Sequence, residues 1–137
     1  MSEMTPTGRE LQILKVLWER GEATVRDLWK VLSETDAELA YTTVLSLMQI
    51  MESKGLIQHR SEGKAYIYSA VVRKENTLRT LAAGFLQRVF DGAVDEYLVH
   101  ALSGRKPSDE ELDRLEQMIA AARTKRPGRN RKAGGKR

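Results

Sequence analysis

A chain of 137 residues with 41% apolar side chains can bury one real core and has no room for two full domains, so one compact unit with appendages is expected. With 31% charged residues, no apolar run near the ~20 residues of a membrane span and no cysteine, a cytoplasmic protein without disulfides, thiol nucleophiles or thiolate metal sites is expected, and the opening MSEMTPTGRE does not read as a signal peptide. The net charge of +4 joins unlike parts, because Arg123 to Arg137 holds eight basic residues and no acid while residues 1–122 hold 15 basic and 19 acidic residues, a net of -4.

In chain order, Thr5 before Pro6 reads as an N-cap with proline at the first helical position, and Gly21 reads as a stop. Leu11, Leu14, Leu17 and Trp18 then form the apolar side of a helix over residues 6–20. Thr24-Val-Arg-Asp27 has the form of a capping box, and Val25, Leu28, Trp29 and Leu32 follow at helical spacing. Beyond the polar stretch 33–38, AYTTVLSLMQIMESKG repeats the stripe through Val44, Leu47, Met48 and Met51, with Gly55 closing a third helix. LIQHR and KAYIYSA are strand-like runs around Ser61-Glu62-Gly63 and predict a hairpin. Its tyrosines, Tyr66 and Tyr68, are expected to pack against helix one more readily than to stack on bases. Three short helices and a hairpin give the order of a winged helix-turn-helix over residues 5–72, so the fold class is mainly α with a small β-hairpin wing.

The rest reads as helical with a different purpose. Leu78, Leu81, Ala82, Phe85, Leu86, Val89 and Phe90 make an apolar band too wide for one small domain to cover. A helix over residues 94–102 presents Val94, Tyr97, Leu98, Ala101 and Leu102, and a third begins at the capping box Ser108 to Glu111 with Leu112, Leu115, Ile119 and Ala122. About 50 residues make a meagre core by themselves. A second copy of the chain would cover the excess, so residues 73–122 are expected to be a helical dimerisation part, with Leu81, Phe85, Val89, Phe90, Tyr97, Leu98, Leu112, Leu115 and Ile119 at the interface. Residues 123–137, with three of the ten glycines and no large apolar side chain, are expected to be a disordered basic tail.

Helix three carries the sharpest chemical signal. Rotating 100° per residue away from its apolar stripe brings Thr42, Ser46, Gln49 and Ser53 onto one face. These are short, neutral hydrogen-bonding groups where an ordinary solvated face would carry Lys and Glu. Gln can pair with adenine N6 and N7 in a major groove, and Ser or Thr can reach a base edge or a phosphate. His59, Arg60 and Lys64 near the hairpin tip would approach phosphates, and Glu62 beside them argues for backbone contact rather than deep insertion. An enzyme is not expected: the two histidines, His59 and His100, fall in separate parts, and no glycine-rich phosphate loop, metal-ligand spacing or carboxylate-histidine cluster accompanies them, so no cofactor is implied.

Four segments in order, TPTGRELQILKVLW, AYTTVLSLMQIMESKGLI, AYIYSA and LAAGFLQRVFDG, resemble the BlaI/MecI penicillinase-repressor family of bacterial winged-helix transcription regulators, over about residues 5–122. The resemblance implies a homodimer that binds a two-fold symmetric double-stranded operator and represses transcription, with Tyr41, Thr42, Thr43, Ser46 and Gln49 as recognition-helix contacts. Where family members that regulate β-lactamase genes have basic residues, this chain has Thr42, Leu45 and Ile50, so their operator sequence is not carried over. The family also implies a partner, a membrane sensor metalloprotease that cuts an Asn-Phe bond; the aligned pair here is His100-Ala101. The copper-responsive branch senses metal through cysteines, which this chain lacks. The expected protein is thus a dimeric repressor in which Thr42, Ser46 and Gln49 read bases, Tyr41 and Thr43 position the helix, and Arg60 and Lys64 touch phosphates. Its rivals are a winged-helix docking module, favoured by the net of -4 outside the tail, and a nonspecific architectural DNA binder led by the tail.

Overall fold

The computed structural model describes residues 6–125. The elements run α1 (Gly8–Arg20), α2 (Val25–Ser33), α3 (Tyr41–Ser53), β1 (Ile57–Glu62), β2 (Ala65–Ala70), α4 (Lys74–Phe90), α5 (Val94–Gly104) and α6 (Asp109–Lys125). They divide into two compact units, Met1–Val89 and Phe90–Arg137.

Helix α1 starts two residues later than the Thr5-Pro6 pair suggested, and Thr5 itself lies outside the described residues. The cap is Thr7, whose hydroxyl accepts from the Glu10 amide at 3.3 Å while the Thr7 amide donates to Glu10 Oε1 at 3.0 Å. Counting from Thr5, the third helical position would be Gly8, which has no side chain to reciprocate; counting from Thr7 it is Glu10, and two orphan amides are satisfied at once. The capping box at Thr24 forms as expected, with Asp27 returning the bond at 3.0 Å.

The three helices meet around Ile13, Leu14 and Leu17 of α1, Leu28 and Leu32 of α2, and Val44, Met48 and Met51 of α3, all buried. Leu56, Ile57 and Tyr68 close this core from the hairpin. Both tryptophans are half-buried and hydrogen-bonded, Trp18 Nε1 to the Val72 carbonyl at 3.0 Å and Trp29 Nε1 to the Leu39 carbonyl at 2.9 Å, so each buries its ring and still satisfies its donor.

Strands β1 and β2 pair antiparallel from Ile57 opposite Ala70 to Glu62 opposite Ala65. The turn is therefore Gly63-Lys64, tighter than the Ser61-Glu62-Gly63 connection that the sequence suggested. Gly63 sits at φ 64°, the conformation that two-residue hairpin turns require and that a side chain would resist. Ser61 and Glu62 are consequently strand residues, and His59 and Arg60 stand back from the tip. Ala23 adds a bridge to the hairpin, exchanging backbone hydrogen bonds of 3.0 and 2.8 Å with Tyr68, which fastens the wing to the turn between α1 and α2.

Helices α4, α5 and α6 bury almost nothing: among their residues only Thr77 is buried. Ser108 caps α6 through a reciprocal pair with Glu111 at 3.1 and 3.3 Å. The helix continues to Lys125, so the first three residues of the expected disordered tail are helical; residues 126–137 lie outside the described residues. The extension follows from the helix-forming run Ala120 to Ala122 and from Arg123 and Lys125, cations in a last turn where the helix dipole favours them.

Candidate nucleic-acid interface

On α3 the stripe Val44, Met48 and Met51 is buried, and Tyr41, Thr42, Thr43, Ser46, Gln49 and Ile50 are exposed. The exposed face carries no charge. Ser53 shares that face, yet its hydroxyl donates to the Ile50 carbonyl at 2.8 Å and is already engaged within the helix. No side chain caps the start of α3 and no acid occupies its first turn, so the positive end of its dipole is left unopposed. Tyr41 is held at this end between Trp29, edge-on at 6.0 Å, and the Arg26 guanidinium, 5.8 Å from the ring centroid. Sequence reasoning passed over Arg26. Its signal was a cation in the first turn of α2, against the helix dipole.

The C-terminal end of α3 is fixed by a long-range ion pair. Lys54, the C-cap, lies 3.0 Å from both carboxylate oxygens of Glu10, whose side chain is only 3% exposed. Glu10 therefore closes the α1 cap and tethers the end of α3 with one carboxylate.

In the wing, His59 is a strut and not a tip residue: its Nδ1 lies 2.8 Å from the Glu52 carboxylate on α3, and its ring stacks on Tyr66 at 4.2 Å. Arg60 reaches Glu22 at 2.6 Å and Glu62 at 3.2 Å, which ties the wing to the α1–α2 turn. Its positive charge is thus shared between two carboxylates, while the side chain stays 53% exposed. Lys64 stands in the turn, exposed, with no ion pair among the described residues. The tyrosines part company: Tyr68 is buried in the core, and burial pushes its hydroxyl pKa up, whereas Tyr66 is half-exposed. A cleft of about 560 Å³ runs between the starts of α2 and α3 and the wing, with Arg26, Tyr41, Leu45, Lys64, Tyr66 and Tyr68 among its walls.

Of the expected interface residues, Leu81, Phe90, Leu98 and Leu115 are half-buried, and Phe85, Val89, Tyr97, Leu112 and Ile119 are exposed. Val99 and Met118, which the helical-stripe reading omitted, are the most exposed large apolar residues among those described, at 62% and 61%. Phe90 meets Tyr97 edge-on at 5.6 Å and His100 at 5.8 Å. Among the described residues no cluster of three or more His, Asp or Glu could hold a metal, and no helix is long and apolar enough to cross a membrane.

Three helices, a two-stranded wing and a neutral exposed face on the third helix define a winged helix-turn-helix protein. The chain belongs to the penicillinase repressor family, whose profile matches residues 6–121. It is 24% identical over 110 residues to the penicillinase repressor of Bacillus licheniformis, covering 80% of this chain and 85% of the relative. With the transcriptional regulator BlaI of Mycobacterium tuberculosis it shares 29% identity over 123 residues, 88% of this chain and 87% of that one. The solution structure of the DNA-binding domain of the repressor BlaI aligns with a TM-score of 0.48 at 22% identity, over 56% of this chain and 93% of that one.

Proposed function

We propose that this protein is a homodimeric transcriptional repressor that places α3 in the major groove of a two-fold symmetric operator. The observation that carries this reading is the exposed face of α3, where Thr42, Ser46 and Gln49 offer neutral donors and acceptors opposite a buried apolar stripe and Thr43 stands exposed at their flank. Thr42, Ser46 and Gln49 read base edges, Tyr41 and Thr43 set the helix on the backbone, and Lys64 reaches phosphates from the wing. Arg60 is the weaker phosphate contact, because two carboxylates already offset its charge.

The acid excess of residues 1–122 does not oppose this reading. Residues 90–122 hold eight acidic and three basic residues, so residues 1–89 are left with 11 acidic and 12 basic. The wing-bearing unit can therefore approach a polyanion. Large apolar residues left exposed on α4, α5 and α6 support a second copy of the chain as partner. Dimerisation would place half-sites about 10 base pairs apart or a multiple of that. Splitting the dimer is the release step that best suits the chain: His100-Ala101 lies inside α5, and a protease would have to unwind that helix locally before it could seat the bond.

The test is selection of bound sequences from a random pool by the full chain, followed by shift assays on the selected and on scrambled duplexes. Gln49→Ala is expected to lose about 1–3 kcal/mol on the selected site and nothing on the scrambled one. Recovery of no preferred sequence, or equal losses on both duplexes, would overturn base reading by α3. No DNA binding by the full chain would support a docking module instead.

A further inference from the structure

At the root of α4, Arg73, Asn76, Thr77, Thr80 and Leu81 recur at i, i+3, i+4, i+7 and i+8, the spacing by which a helix presents an apolar stripe to a core. Here four of the five are polar. All five line a cavity of about 460 Å³ within the winged-helix unit, and the rest of its wall, Pro6, Leu56, Val71 and Val72, is apolar. Thr77 points to a polar guest. It is only 9% exposed, its amide donates to the Arg73 carbonyl at 3.0 Å, and its hydroxyl has no hydrogen-bond partner among the described residues. Buried hydroxyls are normally bonded, and valine would fill the same space without that cost. The polar groups of the cavity are donors. Asn76 Oδ1 already accepts from Arg79 at 3.3 Å, which leaves its amide nitrogen to donate, and Arg73 brings a planar fork of N–H groups. No lining residue is acidic, and Glu75, the acid in the first turn of α4, lies outside the wall. One guanidinium matches one carboxylate, and the apolar wall matches a hydrocarbon body. The volume falls in the range of small-molecule sites, roughly 300–1,000 Å³. A second copy of the chain is a poorer occupant, because it would bury four polar side chains, one of them charged, inside an interface.

We propose that this cavity binds a small organic monocarboxylate. Arg73 and Asn76 hold the carboxylate, the Thr77 hydroxyl donates a further bond to it, and the hydrocarbon body lies against Leu56, Val71 and Val72. A ligand held there joins the end of the wing to the root of α4, and the site stands whether or not α3 reads bases.

Butyrate, hexanoate and phenylacetate, with hexanol and hexylamine as controls of charge, are titrated into the full chain, and the two tryptophan indole N–H signals are followed by NMR. Trp18 Nε1 donates at 3.0 Å to the carbonyl of Val72, a residue of the cavity wall, whereas Trp29 Nε1 donates to Leu39, which lies outside it. At least one carboxylate is expected to shift the Trp18 signal saturably and leave that of Trp29 in place. Arg73→Gln should weaken that carboxylate roughly tenfold, for a lost charge-assisted bond, and Thr77→Val roughly fivefold, for a neutral one. Thr77→Val should also melt no lower than the unaltered chain, because it removes a hydroxyl that the fold leaves unbonded. Arg114→Gln, at an exposed cation of α6, is the control for net charge and should bind as the unaltered chain does. No saturable Trp18 shift with any carboxylate up to about 10 mM would overturn the site. Equal affinity for hexanoate, hexanol and hexylamine, or equal affinity of Arg73→Gln and the unaltered chain, would do the same by showing adsorption to apolar surface. A lower melting point in Thr77→Val would make its hydroxyl a structural group and overturn its role. A Trp18 signal that moves on dilution and not with carboxylate would give the cavity to a second copy of the chain instead.

Discussion

Replacing Lys54 by methionine keeps the length and helix propensity of the side chain and leaves the Glu10 carboxylate buried without its counter-charge. Breaking a fully buried ion pair costs about 3–5 kcal/mol. Here the Lys54 side chain is 30% exposed and Glu10 keeps its bond from the Thr7 amide, so water and the cap soften the loss to about 2 kcal/mol. In a domain of this size that lowers the melting midpoint by about 10 °C. Adding Glu10→Gln to Lys54→Met should restore about half of the stability, since glutamine still closes the capping box and carries no charge to strand. Urea unfolding followed by tryptophan fluorescence is the suitable assay, because Trp18 and Trp29 both lie in the winged-helix unit. A loss below about 0.5 kcal/mol in Lys54→Met, the range of an ordinary surface pair, would refute the account, as would a double variant less stable than the single one.

Three further outcomes are expected. The Thr24 amide holds the Asp27 carboxyl below its ordinary value of 3.8, so this cap stabilises the fold above that pH and loses its contribution as pH falls through the folded value. The stability gap between the unaltered chain and Asp27→Asn should therefore shrink in acid titrations below about pH 4, and a gap constant down to pH 2 would contradict it. Burial raises the Tyr68 hydroxyl above its ordinary value of 10.0, so its contribution is complete below that pH and is lost as pH rises through the folded value. Denaturation curves above about pH 10 should then favour Tyr68→Phe increasingly over the unaltered chain, and parallel curves would speak against it. Val89→Asp combined with Ile119→Asp, at sites 53% and 50% exposed, should leave the chain folded and shift it from dimer to monomer in sedimentation; an unchanged mass would exclude these residues from the interface.

Local signals in the sequence were read well where one short segment contains both partners. The capping boxes at Thr24 and Ser108 and the stripe Val44, Met48, Met51 are of this kind, since cap and periodicity are both properties of consecutive residues. The Thr5-Pro6 reading failed within the same logic, because the reciprocal carboxylate of Glu10 decides between two candidate threonines. Distance along the chain is what hid the rest. Glu10 and Lys54 are 44 residues apart, and Arg60 and Glu22 are 38 apart; each reads alone as a solvated charge, and only the closing of the core brings them together. The wing residues show the cost of this: a turn begun two residues too early, at Ser61, puts His59 and Arg60 at the tip, when the register makes them struts to α3 and the α1–α2 turn. Arg26 was visible as a charge in the wrong place on a helix, a signal with meaning only once Tyr41 and the cleft lie beside it.

The core packing of α3 and the base reading proposed for it fall to different residues. Val44, Met48 and Met51 hold the domain together, and Thr42, Ser46 and Gln49 stand in solvent with no part in the core. Substitutions at the second set are close to neutral for folding, typically within about 0.5 kcal/mol. If those three residues read bases as proposed, copies of such a protein can drift to new target sites after duplication without passing through unstable intermediates, and a designer could change the target by exchanging three side chains on an unchanged scaffold.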